Sequence, residues 1–246
     1  MKSFIGTSGY NYQHWQEGVF YPAQWPKNKL LEYYCQYFNS VELNVTFYRL
    51  PNQSVFKGWH RKTPKNFKFV VKGSRFITHI KRLKDTKNSL GMFFENACNL
   101  KDKLICVLWQ LPASMKFDLA RLDNFIKGLK QNKIAKKILH SMEFRHESWF
   151  NNQTYEILEK NNVNLCIADS PRWPCEEIIT SDFLYLRFHG GGVLYGSEYS
   201  EDELKQWSKK AKTWSKKVNL LFTFFNNDAY GFAVKNAKRF KELLKK

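Results

Sequence analysis

Acidic residues are scarce in this 246-residue chain: Asp and Glu number 22 against 40 Lys and Arg, for a formal net charge of +18. Histidine is scarcer still. Its six residues show no His-x-x-x-His or His-Glu-x-x-His spacing, which argues against a multi-zinc centre. The five cysteines (Cys35, Cys98, Cys106, Cys166 and Cys175) are odd in number and form no Cys-x-x-Cys pair. Neither a zinc ribbon nor a redox dithiol is therefore expected. No apolar run approaches the roughly 20 residues that a membrane span requires. Met1-Lys2-Ser3-Phe4 leads into a strand pattern, with no signal-peptide pattern. The expectation is a cytoplasmic protein without membrane association.

The positive charge is uneven in kind. Lys contributes 31 residues and Arg only 9, alongside 20 Asn. That skew fits a general Lys/Asn bias, with lysines such as Lys205, Lys209, Lys212 and Lys216, or the tail Lys245-Lys246, on solvated surface. A nucleic-acid footprint is the alternative reading of the same charge. With 43% hydrophobic and 17% aromatic residues, the chain can bury a sizeable core, and no linker or repeat divides residues 1–246.

Eight short apolar runs each end in polar residues: Gly6-Thr7-Ser8-Gly9-Tyr10, Glu42-Leu43-Asn44-Val45-Thr46-Phe47-Tyr48-Arg49, Lys72-Gly73-Ser74-Arg75, Trp109-Gln110-Leu111-Pro112, Glu143-Phe144-Arg145-His146, Ala168-Asp169-Ser170, Arg187-Phe188-His189-Gly190 and Asn226-Asn227-Asp228. Strands are read at 3–8, 40–48, 67–72, 104–110, 138–144, 163–169, 183–188 and 219–225. Helical spacing lies between most of them, and Asp118 is an N-cap candidate for a helix from Leu119. The pattern predicts an α/β fold, a TIM-like (β/α)8 barrel in one domain, with the site at the C-terminal strand ends. Pro171–Asp182 carries two prolines and is too short for a full helix, so the region between strands 6 and 7 should be irregular.

Strand side chains alternate faces. Val41, Leu43, Val45 and Phe47 should meet the helices; Glu42, Asn44, Thr46 and Tyr48 should point into the barrel. The same rule turns Glu143, Arg145, Tyr185, Arg187 and His189 inward. Buried charges are costly unless paired, so a self-satisfied ion network competes with a functional reading. A purely structural barrel core uses Val, Ile and Leu instead. Five of the nine arginines (Arg49, Arg75, Arg145, Arg172 and Arg187) fall at or just after strand ends. Arg is the better bidentate partner for phosphate and carboxylate. This sorting points to a small anionic or phosphorylated ligand.

These segments together resemble the YecE-like family (domain of unknown function 72). The resemblance spans nearly the whole chain. It runs from Gly6-Thr7-Ser8-Gly9-Tyr10 with Trp15 through Glu42-Leu43-Asn44, Thr46-Phe47-Tyr48, Lys72, Thr78-His79 and Gln110-Leu111-Pro112. It continues through Glu143-Phe144-Arg145-His146 with Ser148-Trp149, Asp169, Arg187-Phe188-His189-Gly190, Tyr195, Tyr199, Asn226-Asn227 and Asn236-Ala237. Ala113-Ser114 departs from the family pattern, where a second proline is common. The resemblance implies a TIM-like barrel and supplies no reaction.

Three chemistries fit the inward set. In an acid/base enzyme on a phosphorylated or sugar-like substrate, Glu42, Glu143, His189 and Asp169 would be the catalytic groups. Ligand contacts would come from Tyr10, Trp15, Asn44, Tyr48, Lys72, His79, Gln110, Arg145, Trp149, Arg187, Tyr195, Asn226 and Asn227. Paired inward carboxylates would also suit glycoside hydrolysis. In a metal-assisted phosphodiesterase, His79, Glu143, Asp169 and His189 would hold a divalent ion, although no cofactor is predicted. In a non-catalytic binding module, aromatics in the mouth loops would stack on a base or sugar; a packed lid is the competing reading for Trp15 and Trp149.

Overall fold

Alternating β and α segments give a parallel architecture, and the computed structural model describes it over residues 1–245. Lys246, the last residue of the expected domain, lies outside the described residues. The strands are β1 (Lys2–Thr7), β2 (Ser40–Leu43), β3 (Lys68–Lys72), β4 (Leu104–Gln110), β5 (Leu139–Glu143), β6 (Asn164–Leu165), β7 (Ile167–Asp169), β8 (Phe183–Phe188) and β9 (Leu220–Phe225). Every pairing is parallel. The strands form two sheets, ordered β1-β9-β8-β7 and β2-β3-β4-β5-β6. The expectation of one closed ring of eight is thus revised to two sheets that meet at two seams.

At the first seam β1 and β2 share a single bridge, Ser8 to Glu42. Gly6 permits the approach: a Cβ there would lie 2.1 Å from the Ser40 carbonyl oxygen and 2.6 Å from the Tyr34 hydroxyl. Side chains replace the missing ladder. The Thr7 amide donates to the Tyr34 hydroxyl at 2.8 Å, and that hydroxyl donates to the Ser40 carbonyl at 3.1 Å. Asn39 accepts from the Ile5 amide at 3.0 Å and donates to the Ser3 carbonyl at 2.8 Å. Buried backbone groups are thereby satisfied without strand pairing.

The second seam falls inside the run expected as one strand over 163–169. It breaks at Cys166, so β6 pairs with β5 and β7 with β8. Here the Thr180 hydroxyl accepts from the Leu165 amide and donates to the Val163 carbonyl, both at 2.8 Å. The Asn164 carboxamide donates to the Phe183 carbonyl at 2.9 Å and accepts from Ser141 at 2.8 Å.

The helices are α1 (Leu30–Tyr34), α2 (Val45–Tyr48), α3 (Gln53–Arg61), α4 (Lys87–Ala97), α5 (Leu119–Gln131), α6 (Asn152–Lys160), α7 (Glu201–Trp214) and α8 (Phe232–Lys245). Asp118 caps α5 by accepting from the Arg121 amide at 3.0 Å, and Ser200 with Glu203 forms a capping box on α7. Residues 171–182 contain no helix, as their prolines predict. None of the described helices is long and apolar enough to cross a membrane.

One further strand expectation fails. Strand 2 ends at Leu43, and α2 replaces the predicted stretch to Tyr48. Asn44 already has helical dihedrals. The Thr46 hydroxyl lies 2.6 Å from the Lys72 carbonyl and 2.8 Å from the Leu43 carbonyl. This contact turns the chain, and the period-2 alternation stops. Val45 and Tyr48 become exposed, Tyr48 by 69%.

Two apolar clusters result. The larger packs helices on sheets around residues such as Trp109, Met142, Phe144 and Leu186. The smaller lies on the opposite strand faces and unites Phe4, Phe183, Tyr185 and Phe222 of one sheet with Val70, Cys106 and Leu108 of the other. The polar strand ends lie above this inner cluster.

Candidate functional site

Arg187, in β8, organises the site. It is fully buried, so each of its donors needs an acceptor. Its Nε donates to Glu42 Oε2 at 2.9 Å and its Nη2 to Glu42 Oε1 at 2.7 Å. Its Nη1 donates to Glu143 Oε2 at 2.5 Å and to His189 Nε2 at 3.1 Å. Glu42 also accepts from the Tyr185 hydroxyl at 2.6 Å. Arg145 completes the chain by donating its Nε to Glu143 Oε1 at 2.7 Å. Two carboxylates thus face two guanidiniums.

The network fixes protonation. Burial pushes the Glu143 carboxyl up, but the Arg187 and Arg145 guanidiniums outweigh it and hold it well below the usual carboxylate range. Burial and the neighbouring Arg187 charge keep His189 neutral, well below its ordinary value. Because His189 Nε2 accepts from Arg187, Nδ1 carries the ring proton. The Asn226 Nδ2 lies 3.2 Å from Nδ1; with the proton on Nδ1, the carboxamide accepts it only when flipped to present its oxygen.

Lys72, at the end of β3, is different. It is 8% exposed, and its ammonium has no hydrogen-bond acceptor or ion-pair partner among the described residues; it stands 4.3 Å over the Phe47 ring. Burial, then the Arg187 guanidinium, lower its pKa from the ordinary 10.5 to about 7. Beside it, His79 is pushed down to about 4 by burial and then by Lys72. Its Nδ1 lies 2.9 Å from the Thr78 hydroxyl and its Nε2 3.4 Å from Gln110 Nε2.

A family model described as a protein of unknown function, DUF72, matches residues 4–246. The chain belongs to the DUF72 family. It is similar to a DUF72 family protein from Thermotoga maritima, with a TM-score of 0.88 and 32% identity over 100% of both chains. A DUF72 family protein from Enterococcus faecalis V583 shares the fold at a TM-score of 0.83 and 20% identity, over 99% of this chain and 96% of that one. UPF0759 protein YunF of Bacillus subtilis is 26% identical over 98% of this chain and 94% of its own length.

Within this DUF72 chain, the structure brings together Glu42, Glu143, Arg145, Arg187, His189, Lys72, His79, Gln110 and Asn226. Asn44 lies at the edge, donating to the Ser8 carbonyl at 3.3 Å. Tyr195 also borders the cluster, its ring centroid 5.6 Å from that of His189.

Other candidates are placed elsewhere. Trp15 and Trp149 have no exposed surface, and their indole N–H groups donate to the Asp228 and Met115 carbonyls at 3.3 and 2.6 Å. Neither offers a free ring face. Tyr10 accepts from Trp59 Nε1 at 3.0 Å. Tyr48 is on the outer rim. Asp169 accepts from the Tyr199 hydroxyl at 2.6 Å, and burial pushes its carboxyl up. Asn227 donates to Asn236 and to the Ser197 carbonyl, both at 2.9 Å, tying the loop after β8 to α8.

The four-residue metal set is not assembled. His189 Nε2 comes only within 3.9 Å of Glu143, both Glu143 oxygens are held by guanidiniums, and Asp169 belongs to the Tyr199 contact. Among the described residues no group of three or more His, Cys, Asp or Glu is placed to hold a metal ion.

Alternation alone missed two contributors. Phe47, expected against the helices, turns toward Lys72 and meets the His79 ring at 4.9 Å. Trp173, in the irregular Pro171–Asp182 loop, stacks under the Arg145 guanidinium at 3.9 Å and edges onto His189 at 5.0 Å. An aromatic between two prolines just after a strand end was the available signal.

Proposed function

We propose that the strand-end face binds a small anionic ligand, with phosphate or carboxylate as the recognised group. One observation carries this reading: several donors without acceptors gather at one place. They are the Lys72 ammonium, the two Nη groups of Arg145, and the buried Trp173 Nε1–H, which has no partner among the described residues. The carboxylates Glu42 and Glu143 are already matched by Arg187 and Arg145, so Lys72 is the surplus cation. A buried donor left unpaired, as Trp173 Nε1–H is, costs about 1–3 kcal/mol, and an anion at the strand ends would offer acceptors to these groups. In this reading Arg187 is not a ligand contact. It holds the two glutamates and, through them, the position of Arg145.

The acid/base assignment follows the same logic. Glu143 is held ionised, so it suits electrostatic positioning rather than proton donation, while neutral His189 and His79 suit proton acceptance. The frame proposed for this site is the two sheets closed around the inner cluster as one (β/α)8-type unit, presenting its carboxyl ends as such folds do.

Calorimetric titration with orthophosphate tests the reading. Binding is expected in the wild type, with a loss of about tenfold or more in Arg145→Met, as for a charge-assisted hydrogen bond. Unchanged affinity in that variant contradicts it. A second reading rests on the rim: Tyr48 and Tyr230 are 69% and 79% exposed, and Arg49, Arg75 and Arg172 are exposed as well. Single strands stack on such rings. Tight, steeply salt-dependent binding of single-stranded DNA, with no orthophosphate binding, would favour that reading.

A further inference from the structure

We propose that Lys72 is a nucleophile that condenses with the carbonyl group of a small anionic aldehyde or ketone, such as a 2-oxo acid or a phosphorylated keto compound. This rests on the anion-binding reading and names its substrate class. Three features of the site support it.

First, the amine is free to react. It makes no hydrogen bond or ion pair among the described residues, and it sits on the Phe47 ring at 4.3 Å. A structural lysine buried this deeply would be expected to hold acceptors, as Lys103 does: its Nζ donates to the His60 and Thr63 carbonyls, both at 2.7 Å. Two buried lysines in one chain are thus treated oppositely.

Second, the charges facing Lys72 suit an unprotonated amine. They come from Arg187 on β8, Glu42 on β2, and Glu143 with Arg145 at the end of β5. His79, from the segment after β3, faces it as a neutral ring. The two carboxylates are spent on the two guanidiniums, so none is left to hold an ammonium. A pKa of about 7 gives Lys72 roughly a thousandfold larger neutral-amine fraction at pH 7 than a solvated lysine. Desolvation of this kind is an established route to an activated lysine.

Third, an anchor for the anion lies within electrostatic reach of the amine. The Arg145 guanidinium, stacked on Trp173 at 3.9 Å, keeps its two Nη groups for a phosphate or carboxylate. The step balances without a further reagent. The Nζ lone pair adds to the carbonyl carbon, the carbonyl oxygen leaves as water with the two amine hydrogens, and a C=N bond remains.

The test is reductive trapping on the full chain. Dihydroxyacetone phosphate or pyruvate is added at pH 7 with cyanoborohydride, and the labelled lysines are mapped by peptide mass spectrometry. The expected result is an adduct on Lys72 forming at least about tenfold faster than on surface lysines, given their far smaller neutral fraction, and slowed by excess orthophosphate. Lys72→Arg, which keeps the cation and removes the nucleophile, should bind orthophosphate and lose that adduct. If orthophosphate binds the wild type while Lys72 stays unlabelled, or labelling spreads evenly over the lysines, this inference is overturned and the anion-binding reading stands. If neither binding nor labelling occurs, both fall.

Discussion

Lys72 and Arg187 are both buried cations at strand ends, and their surroundings give them opposite roles. Arg187 has four acceptor contacts to two glutamates and a histidine. Removing it would leave Glu42 without its cation and Glu143 with Arg145 alone, a loss of about 3–5 kcal/mol for a broken buried pair. Lys72 has no acceptor, and its burial is a net cost. In the unfolded chain it keeps its proton to about pH 10.4; in the fold it loses it near 7. Between those values the unfolded state binds more protons, so the Lys72 contribution to stability rises with pH. The cost is fully present below pH 7 and is relieved toward pH 10. Lys72→Met should therefore be more stable than wild type at pH 6 by a margin that shrinks as pH rises, measured by urea unfolding across that range. A margin independent of pH contradicts the assignment. From sequence, Lys72 stood out only as a strand-end lysine within a motif, because its isolation depends on which neighbours take up which charges.

At the scale of elements, the inward and outward faces of β5 and β8 were legible because a period of two survives wherever a strand is regular. Glu143, Arg145, Arg187 and His189 fell where alternation put them. In β2 the rule failed after Leu43. Thr46 turned the chain, Phe47 swung to the site, and Tyr48 went to the rim. Nothing in Val45-Thr46-Phe47-Tyr48 signals this, since β-branched and aromatic residues favour a strand, and the competing contact is to the Lys72 carbonyl of another strand. The break at Cys166 was hidden likewise, because Thr180 and Asn164 act from outside the run. The first seam makes a separate prediction. Tyr34→Phe leaves the Thr7 amide and the Ser40 carbonyl without their shared partner and should destabilise the fold by about 1–3 kcal/mol in denaturant titration. An effect near zero would mean that the hydroxyl does not bind the two sheets.

Across the whole molecule, charge and chemistry are separated. The surplus of lysine is spread over helices such as α7 and the connecting segments, while Arg145 and Arg187 are committed at the strand ends. Two grooves lie away from that cluster: one of about 1220 Å³ runs between α4 and α5, and one of about 530 Å³ between α7 and α8. At the strand-end face Glu42, Glu143, Arg187 and His189 are fully buried, which suits a small ligand held by a few charged groups more than a large one. The cluster of charged side chains at the strand ends was readable from eight polar strand ends; its unpaired donors were not, because sequence cannot show which donors find acceptors. The most direct test is anomalous diffraction from crystals soaked in selenate, a phosphate-like anion. An anomalous peak within hydrogen-bonding distance of Lys72 Nζ and the Arg145 Nη groups is the predicted result. Selenate sites confined to exposed lysines, with the strand-end face empty, would contradict the account.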